Sequence, residues 1–161
     1  MAYLISHGFN KEAAAGIVGV LSAESLLIPG KVNEAEDAAY GGNAGKGIAQ
    51  WSNSKDSKRR DAYDKAMAGK QGLEAELDYF ITDLDSRPLV KQALASATSV
   101  DDAVKAMHLG YENGSATAFA TPEQLQATYS KAHRKLYNKD YSYADSHGKR
   151  LSFANTAYGL V

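Results

Sequence analysis

Residues 29–47, PGKVNEAEDAAYGGNAGKG, constrain this chain more than any other stretch. Five glycines and a proline suit a helix interior poorly. The segment therefore predicts short extended pieces or a hairpin-like flap. The pattern on either side of it is helical. Asn10 is a good N-cap for a helix from Lys11 to about Ser25, with Glu12 near the positive end of the dipole. Gly47-Ile48-Ala49-Gln50-Trp51 closes the flap, and Lys55 to Met67 then reads as a polar, basic helix ended by Gly69 to Gly72. Leu73, Leu77, Phe80, Ile81 and Leu84 recur at amphipathic helical spacing. Pro88 opens a helix over Leu89, Val90 and Leu94. Ser99 with Asp102 resembles a capping box, and Thr121-Pro122-Glu123-Gln124 is a second such start, for a helix to about Tyr137. The fold class expected is mainly α (α+β), a helical domain with a small β or loop flap.

No internal repeat or long linker divides the chain. Residues 1–138 read as one domain. Residues 139–161, rich in Tyr, Ser and Asp, read as an irregular extension that packs on it or leads into a further domain. Tyr3-Leu4-Ile5 looks like the end of a helix, which suggests an excerpt of a longer protein or a domain at its very start.

Composition narrows the function. The chain has 161 residues, 44% hydrophobic and 23% charged, which is one globular domain rather than a disordered chain. With 18 basic and 19 acidic residues the net charge is −1, so no nucleic-acid partner is expected. There is no cysteine, hence no disulfide or thiolate chemistry. No stretch reaches transmembrane length, so no membrane insertion is expected. MAYLISHGF has neither the basic n-region nor the apolar run of a signal peptide, so a substrate outside the cytoplasm would require another route of delivery. His7, His108, His133 and His147 lack zinc spacing, and residues 140–150 lack the ligand pattern of a calcium loop. A phosphate-binding loop would need Gly in place of Tyr40 and Ser or Thr in place of Gly47, and no G-x-S-x-G elbow occurs. No metal or cofactor is expected.

One acid stands out. Glu24 lies one turn beyond Val20 and Leu21 and two beyond Ile17, on their apolar face. A carboxyl group there loses solvation, which favours the protonated form that a general acid needs. Charged residues near helix ends more often point into solvent, so the context has to decide. That context is GFNKEAAAGIVGVLSAES, then PG, then GIAQW, then a basic helix. The combination resembles the phage tail lysozyme family of the lysozyme superfamily, which is itself similar to goose-type lysozymes and lytic transglycosylases. The resemblance covers roughly residues 4–137.

The resemblance implies a lysozyme-like fold and a peptidoglycan hydrolase cutting the β-1,4 bond between N-acetylmuramic acid and N-acetylglucosamine. It places Glu24 as the catalytic acid and Gly47, Ile48, Gln50 and Trp51 on the strand lining the cleft. Gln50 would hydrogen-bond a sugar substituent. Trp51 would either stack on a sugar face or sit in the core with its N–H satisfied. Among Glu34, Glu36 and Asp37 in the flap, Asp37 is the preferred second carboxylate. Tyr40 and Tyr111 would contact substrate. Tyr111-Glu112 continues into Asn113-Gly114 where the family commonly has proline, and Glu112 reads as a structural residue tied to a helix N-terminus or an arginine. Lys55, Lys58, Arg59 and Arg60 read as a solvated helix face, although the family often has an arginine after GIAQW. The implied partners are bacterial peptidoglycan and other virion or tail proteins, or further domains of the same chain. The implied location is the phage tail, acting on the host cell wall. The alternatives are a lytic transglycosylase and a non-catalytic virion module that binds the wall.

Overall fold

The computed structural model describes residues 1–54, 57–115 and 117–160, with only the backbone of Leu136. The helices are α1 (Ala2–Ser6), α2 (Lys11–Ser25), α3 (Glu34–Ala39), α4 (Arg59–Ala66), α5 (Leu73–Asp85), α6 (Pro88–Ala95), α7 (Val100–Lys105), α8 (Pro122–Tyr137) and α9 (Tyr143–Gly159). A two-stranded antiparallel sheet pairs β1 (Asn53–Ser54) with β2 (Ser57–Lys58). The chain is mainly α with this small β element, as its pattern predicts. Among the described residues no helix is long and apolar enough to cross a membrane.

The chain divides into two compact units: Met1–Val20 with Leu84–Val161, and Leu21–Asp83. In the first, sequence signals and structure agree closely at the caps. The Asn10 carboxamide oxygen accepts from the Ala13 amide at 2.7 Å and starts α2. Ser99 Oγ accepts from the Asp102 amide at 3.1 Å. Thr121 and Gln124 form a reciprocal capping box at 2.9 and 3.2 Å. Gly16 and Gly19 let the α2 backbone approach its neighbours closely. A Cβ on them would lie 2.4 Å from the Ala103 Cβ and 2.5 Å from the Ala154 Cβ.

One expectation is corrected in this unit. Residues 143–159 are a helix, not an irregular tail. Ser142 caps it by accepting from the Asp145 amide; it packs on α7, with His147 Nε2 2.8 Å from Asp101, and its buried Ala154 lies against Gly19 of α2. Its buried stripe is made of alanines, which give a weak apolar signal. The helix that Ser99 opens widens after Lys105 into a π-helical turn, Ala106–Glu112, so Tyr111 and Glu112 lie within it.

In the second unit the glycine-rich segment contains a helix that composition obscured. The six residues of α3 carry no glycine. Asn33 caps them by accepting from the Glu36 amide, and Glu34, Glu36 and Asp37 occupy the first turn where the dipole favours acids. The basic helix begins at Arg59 rather than Lys55, because Ser57-Lys58 is the return strand of the hairpin. Lys55 lies outside the described residues.

Candidate active site

The site begins where α2 stops. Ala13, Ala14, Ala15, Ile17, Val20 and Leu21 are buried, and Glu24 is the one acid beyond the first turn of this helix. It is half-buried, beside fully buried Ser25. The Ser25 hydroxyl donates to the Leu21 carbonyl at 3.1 Å and accepts from the Leu27 amide at 3.1 Å, which closes the helix. Leu26 and Leu27 then take φ of 57° and 56°. Left-handed backbone costs a branched residue about 1–2 kcal/mol. Gln50 also has a positive φ, of 50°. Among the described non-glycine residues, three of the four with positive φ therefore adjoin Glu24 or belong to GIAQW. Stored strain of this kind clusters at working sites.

Leu26 and Ile28 project into solvent with 61% and 49% exposure, an apolar ledge directly after Glu24. The flap that follows is closed at its neck. The Lys31 carbonyl accepts from the Gly47 amide at 2.9 Å and from Gln50 Nε2 at 3.1 Å. Val32 bridges Lys46, and Lys46 bridges Trp51. Beneath the neck lies Glu76 of α5, 2% exposed. Its carboxyl group accepts from the Gly30 amide at 2.5 Å, the Ile48 amide at 2.7 Å and the Tyr63 hydroxyl at 2.8 Å. Burial, then the hydrogen bond to Glu76, pushes the Tyr63 phenol well above its ordinary range.

The residues expected to meet substrate are distributed unevenly. Tyr40 caps α3 and is 64% exposed, available to a ligand. Asp37 is half-buried and engaged: it accepts from the Ala44 amide at 3.1 Å and pairs with Arg60 Nη1 at 3.2 Å. Both protons of the Gln50 carboxamide are used on backbone carbonyls, Lys31 and Gly47. Trp51 is fully buried, stacked on Tyr63 at 4.9 Å with Tyr79 edge-on and Nε1 3.3 Å from Asp83. Its ring faces are enclosed by the core, so the sugar-stacking alternative has no exposed surface to act through. Tyr111 belongs to the first unit, 1% exposed under the Arg87 guanidinium at 5.3 Å. Glu112 is structural and tied to an arginine, Arg150, at 3.0 Å.

The basic run is corrected as well. Arg60 is buried and joins Asp37, Asp64 and the Ala44 carbonyl, while Arg59 holds Asp83 at 2.8 Å. Neither is a solvated face residue. Glu76 is the residue that sequence reasoning missed. It sits three residues after Leu73 and four before Phe80, so an acid on an apolar stripe was its signal. Among the described residues no cluster of His, Cys, Asp and Glu is placed to hold a metal ion.

Comparison with known families gives a match over residues 1–160 to the family described as phage tail lysozyme. Neither curated proteins nor solved structures provide a match.

Proposed function

This chain belongs to the phage tail lysozyme family, and we propose on that premise that it hydrolyses the β-1,4 bond between N-acetylmuramic acid and N-acetylglucosamine in peptidoglycan. The family makes it a phage-associated, lysozyme-like cell-wall enzyme. The observation that carries the finer reading is Glu24, a half-buried acid at the end of an apolar helix, followed at once by strained backbone and an exposed apolar ledge.

In this reading Glu24 protonates the glycosidic oxygen as the sugar ring gains oxocarbenium character. Leu26, Ile28 and Tyr40 offer apolar and aromatic surface to the glycan. Gln50 keeps the neck of the flap in place through its two carbonyl contacts, and its oxygen remains the acceptor for a substrate group. Asp37 is the second carboxylate, held by Arg60 and the Ala44 amide on the side of the flap. A phage tail position, with partner tail proteins, follows from the same family membership as part of the proposal.

The engagement of Asp37 favours a second reading. A carboxylate committed to an ion pair is poorly free to activate water, and a lytic transglycosylase needs no such base, because the muramic C6 hydroxyl attacks internally. Digestion of purified peptidoglycan separates the two. Hydrolysis leaves muramic ends that borohydride reduces with a gain of two hydrogens. Transglycosylation leaves 1,6-anhydro ends, lighter by one water and inert to borohydride. Mass spectrometry is expected to find reducible ends, and a digest dominated by anhydro ends would overturn the hydrolase assignment.

A further inference from the structure

Within the second unit, the flap begins and ends over one side chain. Gly30, at its start, gives its amide to Glu76 Oε1, and Ile48, at its end, gives its amide to Glu76 Oε2. Residues 31–47 form the excursion between these two points and hold Asp37 and Tyr40. A loop whose ends are close and fixed behaves as a compact Ω-type element. Where those ends are held decides where its side chains stand.

A carboxyl group suits this task because two oxygens can each take an amide at the same time. No other side-chain chemistry of that length offers two acceptors and no donor. The surroundings commit the group to the role. Glu76 is 2% exposed, so solvent does not compete for its lone pairs. Gly47 has no side chain, and a Cβ there would lie 2.9 Å from Oε2. Tyr63 takes a further lone pair on Oε1 and fixes the carboxyl plane.

We propose that Glu76 is a positioning residue for the reaction of Glu24: by clasping the amides of Gly30 and Ile48 it fixes the neck of the flap and thereby the placement of the flap's substrate-facing residues. It touches no substrate and transfers no proton. The proposal rests on the reading of Glu24 as the acid. Misplacement of a catalytic constellation by an ångström costs turnover more than ground-state binding, so the loss should fall on kcat.

The test compares Glu76→Gln with wild type, using soluble peptidoglycan fragments and amide hydrogen exchange on the full chain. The amide NH2 of glutamine faces a donor and must release one of the two backbone amides. The account expects faster exchange at Gly30 or Ile48, a fall in kcat of about ten- to a hundredfold, and KM within about twofold. Glu76→Asp keeps the charge but is too short to reach both amides, and it should reproduce the kcat loss if the glutamine variant does not fold. Asp101→Asn breaks a contact to His147 in the first unit and serves as the control for general destabilisation, with kcat unchanged. Faster exchange with unchanged kcat would make the clasp purely structural and overturn the proposal. Unchanged exchange would overturn it too, as would an equal kcat loss in Asp101→Asn. An inactive wild type, or an active Glu24→Gln, would instead defeat the assignment of Glu24, and the exchange data would still report on the clasp.

Discussion

Arg60 Nη1 stands 3.2 Å from Asp37 Oδ1 and 2.8 Å from the Ala44 carbonyl, so one buried guanidinium holds both the short helix of the flap and the loop that follows it. Asp37 is thereby singled out from Glu34 and Glu36, which are exposed. Asp37→Asn is expected to lower turnover by about tenfold or more, within the span of a general base. Glu34→Gln and Glu36→Gln should stay within about twofold of wild type. Rates on purified peptidoglycan check this, and equal, mild losses at all three positions would favour the transglycosylase reading.

The backbone at Gly47 gives a prediction about stability. Its φ is +75°, and an added Cβ would lie 2.8 Å from the Tyr63 ring and 2.9 Å from both Glu76 and Trp51. Gly47→Ala therefore combines left-handed strain with overpacking, for a cost of about 2–4 kcal/mol. Gly42 has a similar φ of +80° but no atom within 4 Å. Gly42→Ala should cost only about 1 kcal/mol. Urea unfolding midpoints at constant slope compare the two, and equal costs would contradict the packing described around Gly47.

His108 makes the first unit sensitive to acid. Burial, then the charges of Arg150 and His147, pushes its imidazole down to about 3 from an ordinary 6.5. The ring stacks on Tyr143 at 5.2 Å and on His147 at 5.9 Å, 1% exposed. Its folded value lies below its unfolded one, so between those two values the unfolded chain binds the extra proton. Stability is then fully present above about 6.5 and is lost as pH falls toward 3, at up to roughly 1 kcal/mol per pH unit. His108→Phe should remove this component, flattening the fall in urea midpoint between about pH 6.5 and pH 4. Parallel pH profiles for the two proteins would contradict it.

The parts legible in the sequence were those with strong local chemistry. Asn10, Ser99 and the Thr121–Gln124 pair announce their helices because each cap is a side chain meeting a backbone amide three residues away. α3 was hidden because glycines on both sides of EAEDAA dominate any window that includes it. α9 was hidden because it buries alanines rather than large side chains. At the site, Glu24 could be found from its face on α2, since helical spacing fixes which residues are neighbours. The fates of Trp51 and Arg60 depend on Tyr63, Tyr79, Asp83 and Asp37, which are distant in sequence, and spacing carries no information about them.

Glu24 is the point on which the enzymatic account turns. Glu24→Gln is nearly isosteric, so circular dichroism and the unfolding midpoint should change little while the proton donor is removed. The decisive measurement is the initial rate of dye release from labelled peptidoglycan by this variant and by wild type at equal folded concentration. The account predicts a loss of at least about a hundredfold. A folded Glu24→Gln protein that kept more than about a tenth of the wild-type rate, well above what loss of a general acid allows, would contradict it.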